Sequence, residues 1–182
     1  MCYHAGMEMP LTTKGKIEEY AARYDAANTA HAQDELDLMA RMRAAGRRGH
    51  MDKSDLIALA AWKWRGGAVR RLCEHNTQDE VREISATAFS ARSERLRIGA
   101  LMALSGVAWP MASAALHLAE LPGGGYPILD VWAMQAVEGS TAYTLGRWLT
   151  YTKMCRDTAR DCGVDMRTLD KALWAFGKFG IA

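Results

Sequence analysis

Alanine occurs 31 times in this chain, whereas valine and isoleucine together occur only 12 times. Alanine is the strongest helix former, and the β-branched residues that suit a pleated strand are the scarce ones. This ratio predicts an all-α fold. At 182 residues the chain is long enough to bury a single core. Its 49% apolar and 24% charged residues exclude disordered, collagenous and mucin-like classes.

Capping and stop signals place the helices. Residues 1–15 carry Gly6, Pro10 and Gly15 without a period and read as a loose N-terminal arm; residues 16–182 read as one all-α domain. Helical spacing runs from Ile17 to Met42, with a break near Asn28-Thr29 and with Leu36, Met39 and Met42 on one side. After a connector at 44–50, Asp52 or Ser54 caps a helix that runs through Trp64, carries Leu56, Leu59, Ala60 and Lys63, and stops at Gly66-Gly67. Thr77-Gln78-Asp79-Glu80 has the capping-box form and opens a helix with Val81, Ile84 and Ala88. Ser90 or Ser93 starts the next, with Leu96, Leu101 and Leu104 inward. Pro110 suits a first turn, and that helix ends before Pro122-Gly123-Gly124-Gly125. Asp130 heads a short helix to Val137, and Ser140 caps a long one to Cys162 with Leu145, Trp148, Leu149, Thr152, Cys155 and Ala159 inward. Gly163 ends it, and Asp165 caps a last helix with Leu169, Leu173 and Phe176. Roughly eight to ten short helices with short connections make a compact helical domain rather than a bundle of long rods.

The net charge of +2 does not by itself argue for nucleic acid, but its distribution is uneven. Residues 47–75 carry seven cations (Arg47, Arg48, Lys53, Lys63, Arg65, Arg70, Arg71) against three acids, while 101–139 contain no Lys or Arg. A basic surface and an ordinary solvated helix face are both compatible with such a tract. Cys2, Cys73, Cys155 and Cys162 lie far apart with no secretory signal, which implies reduced thiols and a cytoplasmic protein. Ile98 to Ala119 is uncharged, yet Gly106, Trp109-Pro110 and His117 break it into two buried helices and a turn rather than a membrane span. Cys73 with His75 lacks the second ligand pair of a zinc site, and Gly123-Gly124-Gly125 runs into Tyr-Pro rather than Lys-Ser/Thr. Neither metal nor cofactor is expected. His117, between Leu116 and Leu118, reads as a core histidine.

The informative stretch is Leu101 to Val131. A helix ending in Leu104-Ser105-Gly106-Val107-Ala108 and restarting at once with small residues makes a tight hairpin over about 96–119. Its clustered backbone N–H groups can hold a phosphate without a cationic side chain. These residues resemble the helix-hairpin-helix DNA glycosylase superfamily, whose hairpin reads Leu-Pro-Gly-Val-Gly-x-x-Thr-Ala. In that superfamily a catalytic aspartate follows at the head of a helix; Asp130 stands 24 positions after Gly106. The departures are Ser105 for the proline, Ala108 for the second glycine and Val131-Trp132-Ala133 after the aspartate. Pro110 occupies the position where bifunctional members carry a Schiff-base lysine, so the resemblance implies a monofunctional enzyme. The four-cysteine iron–sulfur loop of some members is absent.

What the resemblance implies is a DNA-binding, monomeric enzyme that flips a modified or damaged base and hydrolyses its N-glycosidic bond, in base-excision repair or in defence against phage with modified DNA. Positive charge builds on the deoxyribose as that bond breaks, and the carboxylate of Asp130 would stabilise it and direct the attacking water. The backbone at Gly106, Val107 and Ala108, with Lys63, Arg65, Arg70 and Arg71, is the expected phosphate contact. Trp62, Trp64, Trp109, Tyr126 and Trp132 are the expected pocket aromatics. Two other readings stay open: a base-modifying enzyme on the same scaffold, and a non-enzymatic hairpin module in which Asp130 is only an N-cap. The tryptophans likewise fit a plain core role, and Trp62-Lys63-Trp64-Arg65 fits a helix end with snorkelling cations.

Overall fold

In a computed structural model, residues 6–121, 125–137 and 142–180 are described. Over these residues the chain is all-helical, with ten α-helices and no strand, as the alanine-rich composition predicts. In order they are α1 (Lys14–Ala27), α2 (Ala32–Arg48), α3 (Lys53–Lys63), α4 (Ala68–Glu74), α5 (Gln78–Ser90), α6 (Glu94–Leu101), α7 (Trp109–Ala119), α8 (Val131–Val137), α9 (Leu145–Cys162) and α10 (Met166–Phe179), with a 3-10 turn at Thr29–His31. They form two compact units. The terminal unit comprises the described residues of Met1–Ala30 and Gly125–Ala182, and the central unit those of His31–Gly124. None of the described helices is long and apolar enough to cross a membrane.

In the central unit, Asp52 and Asp55 form a capping box at the start of α3. The Asp55 carboxylate is buried and accepts from Arg41 Nε at 2.6 Å and Arg48 Nη2 at 2.7 Å, while Asp52 accepts from Arg82 Nε at 2.8 Å and Gln78 Nε2 at 2.6 Å. Buried carboxylates need such partners, since removal from water otherwise disfavours the ion. Thr77 and Glu80 close the predicted capping box of α5, and Ser93 is the N-cap of α6. The predicted inward faces shift in two helices. Leu36 is 58% and Leu96 51% exposed, because Leu38, Met42 and Ala45 define the inner stripe of α2, and Ile98 and Leu101 that of α6. Where the sequence shows only a Gly-Gly stop, the seven-residue α4 follows Gly67, its N-cap, and buries Cys73. Helix α7 is buried all round from Met111 to Ala119, including His117, which accounts for a stretch without charge.

In the terminal unit α1 and α10 pack along each other: the Tyr24 ring meets Trp174 edge-on at 5.0 Å and Tyr20 meets Phe176 at 5.2 Å, with Ile17, Ala21 and Tyr24 buried on α1 and Leu169, Ala172 and Leu173 buried on α10. Asp165 caps α10 by accepting from Thr168 N at 2.8 Å, and Gly163 ends α9, both as predicted. Ser140, expected to cap α9, lies outside the described residues; the cap observed is Thr144, which accepts from Arg147 N at 3.3 Å. Leu149, expected inward, is 39% exposed, because Trp148, Tyr151, Thr152 and Cys155 already fill the inner face. In the described part of the arm, Leu11 is buried and Glu8 N donates to Val137 O at 2.9 Å.

Candidate functional site

Two local arrangements carry the residues singled out by the sequence. The first is the turn between α6 and α7. Val107 N donates to Leu104 O at 3.1 Å, closing a four-residue turn in which Gly106 holds φ +80°. That left-handed geometry at the third position of a turn favours glycine. Leu104 and Val107 are buried, and Ser105 and Ala108 are exposed. Ala108 is the N-cap of α7 but carries no capping oxygen, and Pro110 stands in the first turn. The chain therefore turns tightly and starts a helix whose N-terminal end no side chain caps; of the expected backbone phosphate contacts, the Val107 N–H is taken up by Leu104 O in closing the turn, and Pro110 in the first turn has no N–H.

Residues outside the predicted set hold this turn. Asn76, buried, donates from Nδ2 to Ser105 O at 3.0 Å and to Cys73 O at 2.9 Å, and its Oδ1 accepts from Ser105 N at 2.8 Å. Helix α4 packs beneath: a Cβ added to Gly106 would stand 2.8 Å from Cys73 Sγ and 3.0 Å from both Cys73 N and Leu72 Cβ. Burial pushes the Cys73 thiol up, with the Glu74 charge adding to it, so this sulfur is a packing group. Leu72, 49% exposed, is a large apolar side chain left in solvent beside the turn. An Asn just ahead of a capping box was the available signal for the bracket; nothing in the sequence distinguished Leu72 from a core leucine.

Of the predicted cations, Arg65, Arg70 and Arg71 are exposed and Lys63 is half-buried. Arg70 Nε pairs with Glu74 at 3.0 Å, and Arg65 contacts the His31 ring. Lys63 Nζ lies 5.9 Å from the centroid of the Trp62 ring. Trp62 and Arg65 line a cavity of about 520 Å³ between α2 and α3 with His31, Asp34, Asp37 and Arg41. Trp64 is 46% exposed and Trp109 half-buried.

The second arrangement is in the terminal unit. Asp130 is half-buried at the head of α8; its Oδ1 accepts from Trp132 N at 3.0 Å, and its carbonyl accepts from Met134 N at 2.9 Å. Its charge is felt by two phenols. Tyr143 is pushed up by burial and then by Asp130, and Tyr151 well up by burial, with Cys155, Asp170 and Asp130 acting the same way. Both phenols are therefore held in their neutral form. Tyr126 is buried rather than open: its ring stacks on Trp148 at 6.1 Å and 12°, and the Arg156 guanidinium lies 4.5 Å from its centroid. Among the predicted aromatics, Tyr126 and Trp132 thus belong with Asp130 in the terminal unit, while Trp62, Trp64 and Trp109 belong with the turn in the central unit. Among the described residues no group of three His, Cys, Asp or Glu side chains could hold a metal ion. Comparison of the chain with family models, curated proteins and solved structures finds no match.

Proposed function

We propose that this protein is a monofunctional DNA glycosylase that turns a modified or damaged base out of DNA and hydrolyses its N-glycosidic bond. The observation that carries the reading is the Leu104–Ala108 turn, with its left-handed Gly106 and the uncapped start of α7, a phosphate-holding form built without cations. Asp130 supports it, since a half-exposed carboxylate at a helix head is the kind of group that stabilises a developing positive charge. In the proposed step the C1′–N bond breaks with its electron pair leaving on the base. A water oxygen then bonds to C1′, and its proton passes to Asp130 and from there to the departing base. Exposed Arg65, Arg70 and Arg71 supply the salt-dependent part of binding. Leu72, beside the turn, is an apolar group that can fill space in an opened stack. The reading places the protein in the cytoplasm as a monomer acting in base-excision repair or against modified phage DNA, without metal or cofactor.

One observation favours a second reading. The Oδ1 bond to Trp132 N is what a plain N-cap makes, so a non-enzymatic hairpin module has the same local geometry. Mass spectrometry of bases released from a panel of damaged and phage-modified DNAs, with borohydride present in parallel, tests both. Free base with uncut strands and no covalent adduct is the expected result. A trapped protein–DNA adduct would overturn the monofunctional assignment. A base altered but retained in the strand would identify a base-modifying enzyme, and an unchanged panel would leave the binding module.

A further inference from the structure

A buried segment outside any helix or strand must find other partners for its backbone groups. Residues 125–130 are such a segment: they are irregular, and Tyr126, Pro127, Ile128 and Leu129 are buried. The partner of the Ile128 N–H is a side chain 42 positions away, Asp170 Oδ1 on α10, at 2.8 Å. Asp170 is itself 5% exposed, and its second oxygen accepts from Arg167 Nη1 at 2.7 Å. Arg167 in turn donates to Tyr24 OH at 3.1 Å and lies 5.1 Å from the centroid of that ring. An inward helix position would ordinarily hold an apolar residue, because burying a carboxylate is costly unless it is paired and hydrogen-bonded. Two further contacts hold the same stretch. Arg156 Nε donates to Gly125 O at 3.0 Å, and Gly177 of α10 leaves room for the Trp132 carbonyl, which a Cβ would meet at 1.9 Å. Asp130 therefore stands midway between two fixed points, two residues from each.

We propose that Asp170 is the positioning residue of this site: by accepting the Ile128 N–H it fixes the approach to α8 and so places the Asp130 carboxylate. The proposal rests on the glycosylase reading of Asp130. Arg167 already neutralises the Asp170 charge, so what Ile128 requires is an acceptor oxygen rather than a negative charge. Asparagine supplies that oxygen and alanine does not. Misplacement of a reacting group by an ångström costs on the order of 100-fold in rate.

The test compares the full chain with Asp170→Ala, Asp170→Asn and Asp170→Glu. The readouts are amide exchange at Ile128, the carbon-13 resonance of the Asp130 carboxyl, duplex affinity, and single-turnover release from a DNA that the wild type is shown to cleave. In Asp170→Ala, Ile128 exchange is expected to quicken, the Asp130 resonance to move, and release to slow roughly 10- to 100-fold at unchanged affinity. Asp170→Asn restores exchange and release even though its melting temperature falls with the lost ion pair, a separation that a merely structural role would not give. If Asp170→Ala does not fold, Asp170→Glu keeps the pair with Arg167 while moving the acceptor by one carbon; it must still shift the Asp130 resonance. Unchanged Ile128 protection in Asp170→Ala, an Asn variant as impaired as the Ala variant, or a Glu variant identical to wild type would overturn the proposal. Should the wild type release no base from any DNA while Asp170→Ala still frees Ile128 and moves Asp130, the glycosylase reading fails and the placement of Asp130 by Asp170 stands.

Discussion

Replacing Gly106 by alanine probes the turn between α6 and α7 without reference to any activity. Two costs add. Alanine at φ +80° forfeits about 1–2 kcal/mol for the left-handed conformation. The new Cβ also meets Cys73 Sγ at 2.8 Å and Cys73 N and Leu72 Cβ at 3.0 Å. The last two belong to or hang directly on the α4 backbone, so the helix itself must shift, an overpacking cost of about 1–3 kcal/mol. Gly49 is the control: it ends α2 at φ +85° with nothing within 4 Å of an added Cβ, so Gly49→Ala bears only the conformational cost. The double difference isolates the clash with α4. It predicts that Gly106→Ala is less stable than Gly49→Ala by about 1–3 kcal/mol. At about 2–4 °C per kcal/mol for a chain of this size, the melting temperatures differ by roughly 2–12 °C. Urea titrations and thermal melts of the three proteins measure it. Equal stability of the two variants would refute the reasoning, because it would mean that the turn does not press on α4.

Asp130→Asn keeps a competent cap for α8, so its melt should stay within about 0.5 kcal/mol of wild type, while base release falls by at least about 100-fold; near wild-type release would remove Asp130 from the chemistry. Reversing the exposed Arg65 and Arg70 to glutamate should weaken duplex binding and flatten its logarithmic salt slope by about 0.9 for each phosphate that is no longer neutralised; an unchanged slope in titrations at several salt concentrations would place the footprint elsewhere. Asp52 is held below its ordinary value of 3.8 by the hydrogen bond from Arg82, against burial and with help from the Arg48 charge. Its contribution is therefore complete above the ordinary carboxylate range and lost as pH falls through the lowered folded value, where the unfolded chain takes up the proton first. Arg82→Ala should make stability fall less steeply between about pH 5 and pH 2, and parallel denaturation curves for the two proteins over that window would contradict it.

Much of the secondary structure was legible because its determinants are local. Asp52, Thr77, Asp130 and Asp165 each meet backbone groups two or three residues ahead, so a cap can be read from a short window. The Gly106 turn is likewise local, since one residue at positive φ between two helices needs glycine. Inward faces were less legible. Leu36, Leu96 and Leu149 have helical spacing as good as that of Leu38, Ile98 and Trp148, and only the neighbours decide which stripe is covered. What holds the turn and the approach to Asp130 left little local trace: Asn76 just ahead of a capping box was the one sign, and its partner Ser105 lies 29 positions away, while Ile128 and Asp170 lie 42 apart. The sequence by itself determined an all-helical chain, its caps and one tight glycine turn, because those follow from dihedral preferences and neighbours a few residues away. Only the tertiary structure decided that Tyr126 is buried against Trp148, that Leu72 stays in solvent and that a buried carboxylate on α10 holds the segment before α8, because burial depends on which distant surfaces meet.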